Sequence, residues 1–257
     1  MNYNNLSSKD LFDFLIKEVN VNFEGWDFSY IESTGRMQEF PLTWSYRNKI
    51  ISKIESAKSL LDMGTGGGEF LSSIKHIPNY TCATEGYKPN ITVAKNKLEP
   101  LGVKVYELED DSRLPFDDKT FDIIINKHES YCIKEVSRIL KDKGKFITQQ
   151  VGGENDKEIN IIFKTSKGTD TNWNLQIAVN ELKDLSLRIL EQKEDFVKTR
   201  FYDIGAVVYY LKATPWQIPD FTVEKYFNHL LEIYKIIERK GYIDFTCHRF
   251  FIIAEKE

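Results

Sequence analysis

The stretch Leu60-Leu61-Asp62-Met63-Gly64-Thr65-Gly66-Gly67-Gly68-Glu69 constrains what this chain can fold into more than any other. An apolar run that ends in an acid and then breaks into glycines at alternate positions reads as a buried strand feeding a tight turn, with a helix starting near Glu69. Glycines at those positions remove the Cβ atoms that keep a ligand away from backbone N–H groups, and the helix presents its N-terminus to that ligand. Such turns cradle several kinds of nucleotide cofactor, and some are merely tight turns.

The rest of the chain supplies the context. From residue 50 onward, strand-like runs at 60–63, 80–84, 103–108, 121–126 and 145–150 alternate with helix-like periodicity at 70–74, 91–98 and 133–140. This alternation predicts an α/β fold with a doubly wound parallel sheet. Pro89 suits a helix first turn, and Gly102 and Gly144 sit where helices should stop and strands begin. After Gln150 the pattern changes to a polar segment at 152–170, a helix near 175–185, a long strand near 187–197, and helices around 204–211 and 223–240. The terminal apolar run 245–254 reads as a last strand that returns antiparallel at the sheet edge.

Residues 1–48 are expected to form an N-terminal helical and aromatic lid. It contains an amphipathic helix over 9–19, capped by Ser8, with Leu11, Phe12, Leu15, Ile16 and Val19 on one face. Residues 49–257 are expected to form the main domain, with a helical insertion at about 200–241 on its substrate side.

The 257 residues are 41% apolar and 29% charged, which suits a globular chain. A net charge of −4 and a pI near 5.7 give no electrostatic reason for tight binding to a nucleic-acid backbone. The N-terminal segment lacks a signal-peptide core and no run approaches the ~18 apolar residues of a membrane span, so a cytoplasmic protein is expected. Cys82, Cys132 and Cys247 stand far apart, and His76, His128, His229 and His248 show no metal-ligand spacing. No metal site is expected.

Glu85 ends the second strand, 21 residues beyond Gly64, where an acid can accept hydrogen bonds from both hydroxyls of a cofactor ribose. A dinucleotide enzyme would show the same acid. Gly64 to Gly68 fits G-x-G-x-G, whereas the dinucleotide fingerprint G-x-G-x-x-G requires glycine where Glu69 stands.

At this point the chain resembles the class I S-adenosylmethionine-dependent methyltransferases, in particular the small-molecule, type 11 group. The resemblance runs from about Ser59 to Val151, with weaker agreement to the C-terminus. It rests on the glycine turn, on Ala83-Thr84-Glu85-Gly86, on the segment from Asp110 to Asp122 and on that from Glu135 to Gly144. Lys143 stands where many members have glycine, and Asp111 where many have alanine.

The resemblance implies a Rossmann-like, seven-stranded, mostly parallel sheet with an antiparallel last strand and helices on both faces. It also implies S-adenosylmethionine as cofactor and S-adenosylhomocysteine as product. Gly64, Thr65 and Gly66 would approach the methionine moiety, with Asp62 fixing the turn or meeting the ammonium group. Glu85 and the adjoining Gly86 would serve the ribose, Asp110 the adenine amine, and the Asp111 N–H a ring nitrogen. Asn126 would line the sulfonium side through its backbone. Asp62 read alone is equally a turn-capping acid, and Asp110 and Asp111 a solvated loop.

Methyl transfer from a sulfonium is a direct displacement, so the protein mainly aligns the reactants and excludes water. Where the acceptor is protonated, His128 could act as general base with Glu129 orienting it, or the pair could simply cap a helix. Trp26, Phe28, Tyr30, Arg36, Phe40, Trp44 and Tyr46 could close over the cofactor or pack in the core. Arg200 to Gly205 and Trp216 to Pro219 offer a second wall, and Gln149 and Gln150 further amides. Among these, Tyr30, Arg36, Trp44, Tyr202 and Trp216 are the substrate candidates. The expected function is methyl transfer to O or N of a small molecule. RNA or protein methylation, a non-catalytic cofactor-binding protein and NAD-dependent reduction stand as alternatives.

Overall fold

The computed structural model describes residues 7–23, 27–166 and 171–257. Trp26 and residues 167–170 of the polar segment lie outside them. In chain order the elements are α1 (Ser8–Val19), α2 (Ser29–Glu32), β1 (Met37–Glu39), α3 (Tyr46–Ile54), β2 (Ser59–Met63), α4 (Glu69–Ser72), β3 (Tyr80–Glu85) and α5 (Lys88–Leu98). There follow β4 (Lys104–Glu107), β5 (Phe121–Lys127), α6 (Ile133–Ile139), β6 (Leu140–Val151), α7 (Lys157–Phe163), α8 (Leu175–Asp184), β7 (Leu187–Phe201), α9 (Ile204–Ala213), α10 (Val223–Lys240) and β8 (Ile243–Lys256).

The strands hydrogen-bond in the order β1-β7-β8-β6-β5-β2-β3-β4. β2 pairs in parallel with β3 and β5, β3 with β4, and β5 with β6, while β8 runs antiparallel to β6. This is the Rossmann-like, mostly parallel sheet with a returning last strand. It holds eight strands, one more than the sequence pattern suggests. The addition is β1, which pairs antiparallel with the end of β7 through Met37 and Phe201. Three residues are too few for a period-two signal, and only Met37 is buried.

Two compact units share the chain. The first draws on Thr43–Gly152, Trp173–Asp195 and Arg249–Glu257, so the expected boundary at 48/49 falls inside α3. Its core gathers Leu61, Met63, Phe121, Ile124, Phe146 and Ile252, the inward residues of adjacent strands. Asp122 ties the strand beginnings together. It accepts from the Lys58 and Ser59 N–H groups at 2.8 and 2.9 Å and from Lys141 Nζ at 2.9 Å. In α3, the Ser45 side chain accepts from Asn48 N, and Tyr46, Ile50 and Ile54 recur every fourth residue on the buried face.

Lys143 occupies the turn into the hydrogen-bonded part of β6 with φ of +62°, the left-handed conformation that explains glycine at this place in similar chains. α6 stops at Ile139, so Gly144 lies within β6 rather than at a helix end.

The second unit draws on the described part of Met1–Leu42, on Gly153–Asn172 and on Phe196–His248. α1, α9 and α10 pack about Leu11, Leu15, Val207, Leu230 and Ile233. The cap of α1 is Ser7 rather than Ser8. α7 arises inside the stretch that reads as polar, because Ile159 and Phe163 alone supply a buried face.

Candidate functional site

The strand order reverses about β2, which has β3 on one side and β5 on the other. Ligands of open α/β sheets bind at the carboxyl ends of strands at such a switch point. There this chain carries the glycine turn after β2, Glu85 at the end of β3, and Asn126 to Glu129 at the end of β5. All belong to the first unit.

Glu85 holds the turn. Its buried carboxylate accepts from the Gly66 N–H and from the Tyr87 N–H, each at 2.7 Å, and the Thr65 N–H donates to the Thr84 carbonyl at 2.9 Å. Gly66, at φ +62°, has open space where a Cβ would stand. Gly64, at φ +68°, has none: a Cβ there would collide with Cβ and Cγ of Glu129. The Glu129 side chain therefore lies across the first glycine of the turn.

Asp62 is buried under the turn and accepts from Thr65 Oγ1 at 2.8 Å. Burial lifts its pKa to about 7, the Thr65 bond opposes the shift, Glu85 adds to it and Lys127 counters it. Glu129 is also raised, first by lost hydration and then by Glu85 and Asp111. Its side chain still presents a face to solvent. The carboxylates of Asp62, Glu85 and Glu129 thus stand about one glycine turn, with Asp111 near enough to act on Glu129, and Asp62 and Glu129 resist ionisation.

Asp110 is exposed, accepts from the Ser112 N–H at 2.7 Å and also meets the Ser112 hydroxyl, and these bonds hold its pKa below the usual carboxylate range. Glu135 and Arg138 brace the chain that follows. Glu135 accepts from the Leu114 N–H at 2.7 Å, and Arg138 donates to the Phe116 carbonyl at 2.8 Å. Gly86 keeps the end of β3 close to β4, since a Cβ there would stand 3.2 Å from the Leu108 carbonyl.

Asn126 is wholly buried, and its side-chain oxygen accepts from Thr148 Oγ1 at 3.0 Å and Gln150 Nε2 at 2.5 Å. Gln150 also donates to the Glu129 carbonyl at 3.1 Å, tethering the loop beyond β5. His128 leaves β5 with φ of +60° and donates its backbone N–H to the Gln149 carbonyl at 2.8 Å. Its ring meets Gln149 Nε2 at 3.0 Å.

The expected pairing of His128 with Glu129 does not form. Glu129 points to its own Ser130 N–H and to Gly64, because the left-handed turn at His128 sends adjacent side chains different ways. The imidazole is reached by solvent, yet lost hydration, then Arg249 and Lys127, hold its pKa well below 6.5.

Of the substrate candidates, Trp44 lies in the first unit, buried, with Nε1 donating to Gln149 Oε1 at 2.8 Å. Tyr30, Arg36, Tyr202 and Trp216 belong to the second. Arg36 is committed there to structure: it makes two bonds to Asp203 at 2.8 and 2.7 Å and meets Glu18 at 3.1 Å. Burial between two carboxylates selects an arginine fork. Tyr30 packs on Tyr209 and Arg36, Tyr202 donates to Gln38 Oε1 at 3.0 Å, and Trp216 is 44% exposed.

Sequence reading passes over the importance of Tyr46. It opens α3, packs at a tilt on Phe70 and edge-to-face with Phe251, and is 7% exposed. Burial lifts the pKa of its hydroxyl, Asp62 lies close enough to push it further up, and the nearby Asn126 backbone N–H, too poorly aligned for a full hydrogen bond, opposes the shift. Only the aromatic ring, not the stranded hydroxyl, is legible in the sequence.

Comparisons with known proteins bear on the domain and the fold. Residues 61–148 match the family model described as a methyltransferase domain. A Bacillus halodurans protein described as a candidate methyltransferase superposes with a TM-score of 0.59 at 17% identity, over 81% of this chain and 96% of its own. A candidate sarcosine dimethylglycine methyltransferase from Galdieria sulphuraria gives 0.51 at 16% identity over 82% of each chain. Geranyl diphosphate methyltransferase in complex with S-adenosylmethionine gives 0.50 at 15% identity, over 82% of this chain and 84% of its own. No curated protein matches the chain in sequence. Such distant structural likeness concerns the fold, whereas the family model covers the glycine turn, Glu85, the Asp110 segment and Asn126. Over residues 61–148 the sequence matches a methyltransferase domain of the type 11 kind, set in the Rossmann-like fold that the similar structures share.

Proposed function

We propose that the first unit binds S-adenosylmethionine at the glycine turn and transfers its methyl group to O or N of a small-molecule acceptor. The observation that carries this reading is the cluster of carboxylates, Asp62, Glu85 and Glu129, about a turn whose Gly66 N–H is already taken. A dinucleotide pyrophosphate would meet like charge there and lack that N–H, whereas a sulfonium nucleoside with an ammonium group meets opposite charge.

In this reading Asp62 receives the ammonium, and Gly64, Thr65 and Gly66 offer backbone groups. Glu85 keeps lone pairs for the ribose hydroxyls, with Gly86 allowing the close approach. Asp110 accepts from the adenine amine with its second oxygen, while Asp111 offers a backbone N–H. Asn126 lines the methyl side, its own side chain being held by Thr148 and Gln150. When bound, the cofactor supplies an activated methyl group; the protein supplies alignment and exclusion of water. A small acceptor is supported by the acidic net charge and by the small-molecule names of the similar structures. Among the described residues no helix is long and apolar enough to cross a membrane, and no cluster of metal-ligating side chains occurs.

Isothermal titration with S-adenosylhomocysteine tests the cofactor. Binding that Glu85→Ala weakens about tenfold or more, with no competing NADH binding, is expected. Absence of S-adenosylhomocysteine binding, or preferential NADH binding, overturns it.

A further inference from the structure

Trp44, Gln149 and His128 form a hydrogen-bond chain whose direction is set at one end. An indole N–H only donates, so the Gln149 oxygen 2.8 Å from Trp44 Nε1 must be the acceptor. That leaves the Gln149 amide nitrogen, a donor only, to face His128 Nε2 at 3.0 Å. Nε2 must then carry the lone pair, and the ring proton sits on Nδ1. Trp44 and Gln149 are 8% and 4% exposed, so water is poorly placed to replace either bond if the amide turns over.

We infer that Trp44 and Gln149 are positioning residues that hold His128 as the neutral Nδ1–H tautomer, so that the ring offers a bound molecule a hydrogen-bond donor and not a base. Nδ1 has no protein partner among the described residues, and the ring is open to solvent. The charged groups that bear on it are Arg249 from β8 and Lys127 from β5, both cationic and both opposed to an imidazolium. Two-point attachment to Gln149, through the backbone N–H and the ring, keeps the imidazole from rotating to expose Nε2.

The molecular group that meets His128 is accordingly one with a lone pair to offer: a carboxylate, carbonyl or ether oxygen. Taken with the proposed methyl transfer, this means that the acceptor's nucleophilic atom arrives unprotonated or loses its proton to a group other than His128. The inference rests on that function only for the identity of the bound molecule as the methyl acceptor. The tautomer itself is independent of it.

The test is long-range proton–nitrogen NMR of the full chain labelled with nitrogen-15 histidine, with His128→Ala assigning the signals. The expected pattern is a protonated Nδ1 and an unprotonated Nε2, unchanged between about pH 6 and 8. Trp44→Phe lets the Gln149 amide reverse and is expected to move proton density to Nε2. Gln149→Glu, which keeps the acceptor for Trp44 and adds one for the ring, is expected to raise the His128 titration by about one unit or more. A wild-type ring protonated on Nε2 at pH 7, or a Gln149→Glu ring that titrates as the wild type does, overturns the inference. Failure of S-adenosylhomocysteine to bind would remove the cofactor reading while leaving these signals as they are.

Discussion

With the cofactor's ammonium group on Asp62, as proposed, binding should depend on pH in a direction that the raised pKa of this carboxyl sets. Its pKa rises from 3.8 to about 7 in the ligand-free protein, chiefly through burial. At about 1.4 kcal/mol per unit, a shift of roughly three units corresponds to about 4 kcal/mol set against ionisation. An ammonium group placed on the carboxylate favours the ionised form and lowers the pKa again, so below pH 7 binding releases a proton and affinity rises with pH.

At pH 6 about one tenth of the protein has Asp62 ionised, and S-adenosylhomocysteine should bind about tenfold more weakly than at pH 8, a difference of about 1.4 kcal/mol. Titration calorimetry in buffers of contrasting ionisation enthalpy should count nearly one proton released at pH 6 and close to none at pH 8. Asp62→Asn should flatten the profile and lower the pH 8 affinity by about ten- to hundredfold, the worth of a hydrogen bond to a charged group.

Linkage also acts on folding. An acid whose folded pKa is raised gives up protons more readily when unfolded, so the ligand-free protein should lose thermal stability as pH climbs from about 4 to 7, and Asp62→Asn should lose less. A wild-type affinity that stays level from pH 6 to 8, without proton release, would refute the placement of an ammonium on Asp62.

Three further outcomes are expected. Gly64→Ala should lower the melting temperature and abolish S-adenosylhomocysteine binding, because alanine at φ +68° costs about 1–2 kcal/mol and its Cβ meets Glu129; adding Glu129→Ala should recover part of the loss by thermal shift. Tyr46→Phe removes a buried hydroxyl that makes no well-aligned hydrogen bond among the described residues and has only the Asn126 backbone N–H nearby, so urea unfolding should show nearly unchanged stability while calorimetry shows S-adenosylhomocysteine affinity about tenfold lower. Arg36→Met strands Glu18 and Asp203 in a mostly buried setting and should cost about 3–5 kcal/mol in urea unfolding, with Asp203→Asn in the same background restoring some of it.

What the sequence reveals here depends on how local the responsible physics is. β2, β3, β5 and β6 announce themselves through apolar runs broken by turn residues, and α10 spans the interval that its periodicity outlines. Glu85 is legible because strand length and glycine spacing together put an acid at a strand end. β1 escapes because Met37 is its single buried residue, and α7 because Ile159 and Phe163 are diluted by polar neighbours. Side-chain direction is the deeper obstacle. Nothing in the order His128-Glu129 discloses a left-handed backbone at the histidine, and nothing near Trp44 discloses a partner 105 residues away. Arg36 looks like a ligand-binding cation until Glu18 and Asp203 are seen to enclose it.

The polar knot of Asn126, Thr148 and Gln150 has a bearing on how such a chain can diversify. Each of these groups satisfies another across β5 and β6, so replacing one alone leaves buried hydrogens or lone pairs stranded, at about 1–3 kcal/mol each. The trio is therefore bound to change together or not at all. Glu129, held by that knot through its backbone carbonyl but exposed at its side chain, carries no such debt to the core, whereas the His128 ring is tied to the buried Gln149 amide. Libraries randomised at 129 should keep folded members far more often than libraries randomised at 126, 148 and 150. New acceptor preferences are thus open to evolution at the loop without disturbing the strands that carry it.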